Sequence, residues 1–402
     1  MIYLDNAATS YPKPEEVCQA MNYFMRHIGA SPGRSGHRLA IEAGRLVYEA
    51  REMLAELFGV ENPLRIIFTL NATEALNLII NGVLSAGDHV ITSSMEHNAV
   101  MRPLQAIKEK GIELTIVNCS PAGVLFPQEV ARAIKPNTRL IILNHASNVT
   151  GTIQPISKIS EIARDHKILF AVDAAQTAGC CPINVEAFGV DFLAFSGHKG
   201  LYGPPGTGGL YIREGCEAKL KPLVYGGTGS YSEFTHQPDF LPDKYESGTP
   251  NTAGLAGLKA SVRFVLDRGI SQIYKHENNL AEALRAGLRN IKGVTVYSSG
   301  QLTPQPQLSV VSFNIAGFTP SEVAVQLEEK YQIMCRPGLH CAPLAHQTIG
   351  TFPQGTVRLS PGYFNTLDEI KTVAKAIEEI ANQATCPMKD NGTVLLSSLE
   401  ER

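Results

Sequence analysis

The sequence lacks three features that would place it in a specialised class of protein. Its eight cysteines include no Cys-x-x-Cys pair, which argues against a zinc cluster and against a disulfide framework. No apolar run approaches the length of a membrane span, and a net charge of −3 gives no reason to expect binding to nucleic acid or to a membrane. The first residues carry neither the basic nor the apolar segment of a secretory signal, so we expect a cytoplasmic protein.

What the sequence does contain is a regular alternation of strand and helix patterns. A chain of 402 residues, of which 44% are hydrophobic, can bury a large core and should divide into about two or three domains. The alternation predicts a mostly parallel sheet with helices on both faces. The predicted strands are 65–69, 89–92, 114–117, 140–143, 168–172, 192–195 and 209–212.

Two segments refine this prediction. The segment 38–58 has the apolar spacing of an amphipathic helix packed on the sheet. A Gly/Pro-rich loop without a helix precedes strand 209–212, and because a parallel crossover normally contains a helix, this strand is predicted to run antiparallel.

After Pro250 the pattern changes and indicates a second, smaller α+β domain. Its predicted elements are helices 255–266, 273–291, 321–330 and 367–383 and strand-like segments 308–314 and 357–359.

A lysine and an aspartate follow two of the predicted strands. Lys199 comes after strand 192–195 in a Gly-rich turn, and Asp173 comes directly after strand 168–172. Taken alone, Lys199 could be a solvated surface lysine and Asp173 a helix cap. At the carboxyl ends of strands, where open α/β sheets bind ligands, the pair fits pyridoxal phosphate. This cofactor needs a lysine to hold its aldehyde as a Schiff base and a carboxylate to keep its ring nitrogen protonated.

With these residues the sequence resembles the class V, fold-type-I aminotransferase-like enzymes, and within them the cysteine desulfurases and selenocysteine lyases. The resemblance runs from Tyr3 to about Ala384. It rests on a series of motifs in this order: Tyr3-Leu4-Asp5-Asn6-Ala7-Ala8-Thr9, Asn71-Ala72-Thr73-Glu74-Ala75, Met95-Glu96-His97-Asn98-Ala99, His145-Ala146-Ser147-Asn148-Val149-Thr150-Gly151, Val172-Asp173-Ala174-Ala175-Gln176, Ser196-Gly197-His198-Lys199, Glu246-Ser247-Gly248-Thr249-Pro250-Asn251 and Arg336-Pro337-Gly338-Leu339-His340-Cys341-Ala342.

The resemblance implies a particular α/β architecture. A large domain of residues 16–254 would hold a mostly parallel seven-stranded sheet and the cofactor. Residues 1–15 together with 255–384 would form the small α+β domain. Residues 385–402 are predicted to be a disordered tail.

The phosphate end of the cofactor is predicted to lie at a helix N-terminus. The helix that follows strand 65–69 offers backbone N–H groups at Ala72 and Thr73 and the Thr73 hydroxyl, although Thr73 could also be a simple helix cap. By resemblance, Ser196 and His198 bind the phosphate as well.

Other residues are assigned to the cofactor by the resemblance alone. It implies that Gln176 contacts the ring oxygen, that Asn148 lies beside the ring, and that His97 stacks on the ring and moves protons. A capping or surface role for His97 is the alternative. Thr249 resembles the residue that the family supplies from the neighbouring subunit, which implies a homodimer.

The substrate and sulfur-handling residues lie near the end of the chain. Arg358 resembles the arginine that clamps a substrate carboxylate, using the bidentate fork of guanidinium; the alternative is a surface ion pair. We also assign Asn148 and Arg336 to the substrate. Cys341 resembles the family's sulfur acceptor, and Arg336 and His340 could raise its thiolate fraction. The remaining cysteines assessed, Cys18, Cys119, Cys180, Cys181, Cys216 and Cys386, are expected to be buried and inert.

The resemblance implies conversion of L-cysteine to L-alanine, with a persulfide on Cys341 that passes to a sulfur-acceptor protein. L-selenocysteine is a second candidate substrate, and the short loop before Arg358 resembles that of the SUF-type group.

Two alternative functions remain. Another class V enzyme, such as an aminotransferase, β-lyase or epimerase, would not need Cys341. A non-enzymatic sulfur-relay or regulatory protein would be marked by loss of Lys199 or Asp173, and both are present.

Overall fold

The computed structural model describes residues 1–33, 35–297 and 306–385. Its strands are β1 Ile2–Tyr3, β2 Ile66–Thr69, β3 His89–Ser93, β4 Glu113–Val117, β5 Thr138–Asn144, β6 Leu169–Asp173, β7 Phe192–Ser196, β8 Gly208–Ile212, β9 Val294–Tyr297, β10 Val311–Ile315, β11 Ile333–Met334, β12 Arg336–Gly338 and β13 Thr356–Leu359. Its helices are α1 Glu15–Tyr23, α2 Arg38–Phe58, α3 Ala72–Val83, α4 Asn98–Lys108, α5 Pro127–Arg132, α6 Ile156–Asp165, α7 Val185–Phe188, α8 Thr252–Arg268, α9 Ile270–Arg289, α10 Pro320–Tyr331, α11 Pro343–Thr348 and α12 Leu367–Thr385.

Seven strands form the large sheet, in the order β2-β8-β7-β6-β5-β3-β4. The strands from β7 to β4 are parallel, whereas β8 runs antiparallel to both of its neighbours. The connection from β7 to β8 contains no helix, which is why β8 reverses direction. The predicted mostly parallel sheet and its one antiparallel strand are confirmed.

Both faces of the large sheet are buried, so its central strands are buried along their whole length rather than at alternate residues. Every residue of β3, β6, β7 and β8 is buried. Side chains of alternate residues enter two separate cores: Leu193 and Phe195 of β7 lie in one, and Phe192 and Ala194 lie in the other. Helices α2, α6 and α8 cover the first core, and α3 and α4 cover the second.

Helix α2 has the bounds that its apolar spacing predicted. It begins after His37, whose Nδ1 accepts a hydrogen bond from the Ala40 N–H, so one of the unpaired donors of the first turn is satisfied. It ends at Gly59, which adopts the left-handed conformation (φ 68°) that commonly terminates helices.

The second half of the chain builds a four-stranded antiparallel sheet in the order β12-β13-β10-β9. Helices α9, α10 and α12 pack against it around an apolar core that includes Phe313. The chain's first strand also belongs here, because β1 pairs with β11 and Leu4 enters the same core. This grouping is what the domain prediction requires, and the exact boundaries stay a prediction.

Most predicted boundaries differ from the structure by one to three residues, and two of these differences are informative. Strand β10 begins at Val311 rather than at Leu308, because Arg285 donates hydrogen bonds to the carbonyl groups of Leu308 and Val310 and holds that segment out of the sheet. Helix α12 continues through Thr385, where the predicted disordered tail was to begin; residues 386–402 of that tail lie outside the described residues.

The described helices include none that combines the length and the apolar character needed to cross a membrane.

The seven cysteines in the described ranges form no disulfide bonds. Cys119, Cys181 and Cys216 are buried as expected, and Cys180 is half-buried. Cys18 is exposed on α1, so the expectation of burial was wrong for this residue; Cys386 lies outside the described residues.

Candidate active site

The parallel strands deliver polar side chains to one rim of the large sheet. Asn144 ends β5, Asp173 ends β6, and Ser196 ends β7, with Lys199 just beyond it. These residues open into a cavity of about 320 Å³. Eleven of the thirteen predicted site residues line it: Ala72, Thr73, His97, Asn148, Asp173, Gln176, Ser196, His198, Lys199, Arg336 and Arg358.

One end of the cavity is formed by the first turn of α3. Asn71 caps this helix, because its Oδ1 accepts a hydrogen bond from the Glu74 N–H at 3.0 Å. The alternative in which Thr73 is the cap was therefore wrong, since Thr73 lies inside the first turn. The Ala72 N–H donates to Ser196 Oγ at 3.2 Å, which joins the helix N-terminus to the end of β7. This end of the cavity favours an anion.

Lys199 and Asp173 face the cavity from neighbouring strands. Burial lowers the pKa of Lys199; the charge of Asp173 opposes this shift, while Arg358 and Arg336 add to it. Burial also raises the pKa of Asp173, against the opposing effects of the Ala175 N–H, which donates to Oδ1 at 2.8 Å, and of Lys199. A lysine with a lowered pKa has a larger fraction of neutral amine, which is the nucleophilic form.

His97 has two structural roles: it is the N-cap of α4, and it forms part of the cavity wall. Its Nδ1 accepts a hydrogen bond from the Ala99 N–H at 3.0 Å. Burial, aided by nearby positive charges of which Lys199 is the largest, lowers the pKa of His97 to about 4. The ring is therefore neutral at pH 7, and its proton lies on Nε2.

Arg358, on β13, is 1% exposed and is held by two partners. One terminal nitrogen, Nη2, donates to Asp5 Oδ1 at 2.7 Å, and Nη1 donates to the backbone carbonyl of Asn148 at 3.2 Å. Its Nε has no hydrogen-bond partner among the described residues. The ion pair considered as an alternative thus exists, but Arg358 belongs to the cavity wall rather than to the surface, and the pair leaves its Nε unused.

Two amide side chains complete the wall of the cavity. Asn148 Nδ2 donates to the backbone carbonyl of His340 at 2.7 Å, so this residue connects the cavity to the loop that carries Cys341. Gln176 Nε2 donates to the carbonyl of Ala7 at 3.0 Å, which ties the chain's N-terminal segment to the same wall.

Cys341 is exposed and does not line the cavity itself. Arg336 joins the two, because it lines the cavity and its Nη2 donates to Cys341 Sγ at 3.3 Å. The expectation that His340 helps to charge the sulfur was wrong. Its ring is buried and points to the Arg336 carbonyl (3.0 Å) and to His346 (3.3 Å), and burial lowers the pKa of His340 to about 2, so it carries no positive charge at pH 7.

Thr249 is the predicted site residue that the structure places elsewhere. It lines a separate cavity of about 470 Å³ together with Tyr48 and Phe68. The segment that carries it is anchored by Glu246, whose carboxylate accepts hydrogen bonds from Arg51 at 2.8 and 2.9 Å. Within a single chain Thr249 is thus held away from the cavity that contains Lys199, and its contribution to a second subunit stays a prediction.

Sequence reasoning missed two polar residues of the site. The Asn144 side-chain oxygen is buried without a hydrogen-bond partner among the described residues, beside Asp173. Asn144 directly follows predicted strand 140–143, so the rule that found Asp173 could also have found it. Asp5 was quoted within a motif, but no pattern in the sequence indicated that it pairs with Arg358, since 353 positions separate them.

The chain belongs to the class-V aminotransferase family, whose sequence pattern matches residues 2–373. Among its relatives is a probable cysteine desulfurase of Methanothermobacter thermautotrophicus, 37% identical over 384 residues, with 94% of each chain covered. A cysteine desulfurase of Escherichia coli is 33% identical, with 94% of this chain and 93% of the relative covered. The solved apo structure of a cysteine desulfurase from Thermococcus onnurineus superposes with a TM-score of 0.89 at 34% identity and covers 95% of each chain. The predicted fold class and family resemblance are confirmed.

Proposed function

We propose that this protein is a pyridoxal-phosphate-dependent cysteine desulfurase that converts L-cysteine to L-alanine and leaves a persulfide on Cys341. One observation carries the proposal. Arg336 links the exposed sulfur of Cys341 to a cavity that is lined by both Lys199 and Asp173. The names of the relatives support the same reaction.

The residues of the cavity fit pyridoxal phosphate. The anion-favouring end at α3, with Thr73, Ser196 and His198, suits the phosphate, and Asp173 suits the ring nitrogen. Lys199 provides the amine that attaches the aldehyde, while Gln176 and Asn148 would contact the ring. Two buried polar atoms without partners among the described residues, Asn144 Oδ1 and Arg358 Nε, support a polar occupant for the cavity. When bound, the cofactor supplies an electron sink for the breaking Cα–H bond.

The chain's own residues then have distinct roles. The neutral amine of Lys199 accepts the Cα proton of the substrate, and its lowered pKa increases the fraction of this unprotonated form. Asp173 keeps the ring nitrogen protonated. His97 is neutral with its proton on Nε2, so it can stack on the ring and donate a hydrogen bond from that atom.

The substrate would be held by its carboxylate. Arg358 offers its unused Nε and Arg336 offers a second guanidinium, with Asn148 beside them. The Cys341 thiolate attacks the substrate sulfur, the carbon–sulfur bond breaks, and the sulfur leaves as a persulfide on Cys341. The carbon skeleton is protonated and departs as alanine. A sulfur-acceptor protein or a reductant must then remove the persulfide sulfur before the next cycle.

Four finer features belong to the same proposal. The enzyme works as a homodimer in which Thr249 of the partner subunit reaches the phosphate. It belongs to the SUF-type group, because the loop between Gly338 and Arg358 is short. L-selenocysteine is a second substrate. The protein acts in the cytoplasm.

The decisive experiment compares the wild type with Cys341→Ala. The purified protein is incubated with L-cysteine and dithiothreitol, and alanine and sulfide are measured together. We expect equal amounts of the two products from the wild type, and loss of at least 99% of alanine formation from Cys341→Ala with an unchanged visible absorption spectrum. The matched control is Cys18→Ala, which removes another exposed thiol and should keep wild-type activity.

The same experiment separates the proposal from its rivals. Alanine formation by Cys341→Ala at the wild-type rate would favour another class V activity, such as a β-lyase, in which the thiol has no role. A wild-type protein that takes up pyridoxal phosphate but makes neither product from L-cysteine would contradict the proposed reaction. A protein that takes up no cofactor would favour the non-enzymatic alternative.

A further inference from the structure

We propose that Thr351, His346 and His340 form a hydrogen-bond relay with one fixed direction, and that this relay positions Arg336 and Cys341 for sulfur transfer. The inference rests on the proposed function for its meaning. These three residues are positioning residues, because none of them lines the cavity.

The loop that carries Cys341 has a backbone that needs support. His340 (φ 49°) and Cys341 (φ 58°) are adjacent non-glycine residues in the left-handed region. That conformation costs roughly 1–2 kcal/mol per residue, so surrounding bonds must hold it. The two carbonyl groups are held: that of Cys341 accepts from the Asn98 N–H at 2.7 Å, and that of His340 accepts from Asn148 Nδ2 at 2.7 Å.

The direction of the relay follows from the chemistry of its end. The Arg336 backbone carbonyl can only accept, so the His340 Nε2 at 3.0 Å must carry a proton. Burial lowers the pKa of His340 to about 2, which makes the ring neutral and its Nδ1 an acceptor. The His346 Nε2, 3.3 Å away, must therefore donate.

The same reasoning fixes the beginning of the relay. Burial lowers the pKa of His346 to about 4, so this ring is also neutral at pH 7 and its Nδ1 is an acceptor. The Thr351 hydroxyl lies 2.7 Å from that atom and 3.5 Å from the His346 backbone carbonyl. Because the Nδ1 carries no proton, the shorter contact requires the hydroxyl to donate to Nδ1. Each step from Thr351 through His346 and His340 to the Arg336 carbonyl thus has a single assignment of donor and acceptor.

The relay returns to the sulfur through Arg336. The backbone carbonyl of this residue receives the last hydrogen bond, and its side-chain Nη2 donates to Cys341 Sγ at 3.3 Å. Thr351, His346 and His340 are 5%, 0% and 2% exposed, so water cannot compete for these bonds. The relay therefore holds the residue whose side chain contacts the sulfur.

Three variants test the role of the first donor. Thr351→Val removes the hydroxyl at nearly constant volume and leaves the His346 Nδ1 without its donor. Thr351→Ser keeps the hydroxyl. Thr356→Val is the matched control, because the buried Thr356 hydroxyl has no hydrogen-bond partner in the described part of the chain, although Thr356 pairs with Gly338 of the same region.

Two measurements are made on each purified protein. The first is the rate at which iodoacetamide alkylates Cys341 in the absence of substrate, followed by peptide mass spectrometry with the exposed Cys18 as internal reference. The second is kcat and KM for alanine formation from L-cysteine. We expect Thr351→Val to slow alkylation of Cys341 about threefold and to lower kcat about five- to tenfold with KM changed less than twofold, as loss of one buried hydrogen bond predicts.

The controls decide between positioning and a general structural effect. Thr351→Ser and Thr356→Val should stay within twofold of the wild type in both measurements. Wild-type values for Thr351→Val, or an equal loss in Thr351→Ser, would overturn the relay. If Thr351→Val does not fold, Thr351→Ala removes the same hydroxyl, with the same expected result. The alkylation measurement needs no turnover, so it tests the relay even if the protein makes no alanine.

Discussion

The groups on the large sheet and the groups on the four-stranded sheet reach the cavity by different means. Asp173, Ser196 and Lys199 follow directly from the ends of parallel strands, so the topology of the sheet places them side by side. Arg358 and Cys341 come from β13 and from a left-handed loop, and they are held by residues that are far away in the sequence. Their anchors are Asp5, Asn98 and Asn148.

The two sets of residues therefore depend on different interactions for their positions. The proposed cofactor groups depend on the sheet as a whole, and single side-chain contacts add little to their position. The proposed sulfur-handling groups depend on individual hydrogen bonds between distant segments. We therefore expect substitutions in the first set to remove chemistry outright, and substitutions around the second set to change substrate binding or sulfur attack by graded amounts.

The largest effect is expected from Lys199→Ala, which removes the base proposed for the Cα proton. General base catalysis contributes about 10²- to 10⁴-fold, so alanine formation should fall about 10³-fold or more. The visible absorption band that borohydride abolishes in the wild type should also be lost. Lys158→Ala, at an exposed position on α6, is the matched control. Turnover within tenfold of the wild type would remove Lys199 from the mechanism.

A graded effect is expected from Arg358→Lys on the four-stranded sheet. Lysine keeps the charge but loses the planar fork, so it cannot serve Asp5, Asn148 and a substrate carboxylate together. KM for L-cysteine should rise about 10- to 100-fold, because hydrogen bonds to charged groups contribute about 1.5–3 kcal/mol.

The control for this variant is Arg213→Lys, which alters an arginine paired with Asp191 outside the cofactor cavity. Steady-state kinetics should show an unchanged KM for it. An unchanged KM in Arg358→Lys would mean that the substrate carboxylate binds elsewhere in the cavity.

The smallest effect concerns acid stability on the large-sheet side. His145 is buried, with Nδ1 at 3.0 Å from the Thr177 hydroxyl, and burial lowers the pKa of His145 to about 4. The unfolded chain binds a proton near the ordinary pKa of 6.5, whereas the folded chain binds it only near 4. The free energy of unfolding therefore decreases as the pH falls from 6.5 towards 4, and this contribution levels off below that range.

Urea unfolding at pH 7 and at pH 5 measures this contribution. In His145→Asn the decrease in the free energy of unfolding between the two pH values should be about 2 kcal/mol smaller than in the wild type. Half-buried His97 and His198 and buried His346 also have lowered pKa values, so both proteins should still lose stability in acid. The exposed His166→Asn serves as the control; a decrease equal to the wild type's in His145→Asn would contradict the assignment.

Much of the large sheet could be predicted from the sequence, because its signals are local. Apolar runs marked the seven strands, the spacing of 38–58 gave α2 its bounds, and a missing helix indicated that β8 is reversed. The rule that polar residues follow strands then located Asp173 and Lys199 on one rim. These features depend on periodicity and on chain connectivity, which the sequence displays directly.

The sulfur-handling side was less predictable for a physical reason. Its geometry depends on which side chains meet across the folded chain, and no local pattern records that. His340 was interpreted as a charged neighbour of Cys341, but burial makes it neutral and turns it towards His346. The pairing of Arg358 with Asp5 also depends on β1 pairing with β11 and on the bridge between Asp5 and Ser360, which bring the two ends of the chain together.

The reversed direction of β8 restricts the length of the loop that joins β7 to β8. The connections between parallel strands of this sheet leave the cavity rim and include a helix before the chain re-enters the sheet. An insertion or deletion in such a connection can therefore be absorbed far from the rim. The loop from Gly197 to Thr207 begins and ends at the rim, and the Gly197 N–H donates to the Thr207 carbonyl at 2.8 Å. A residue added to or removed from this loop would displace Lys199 itself. We expect this to be the connection of the large sheet that tolerates changes in length least.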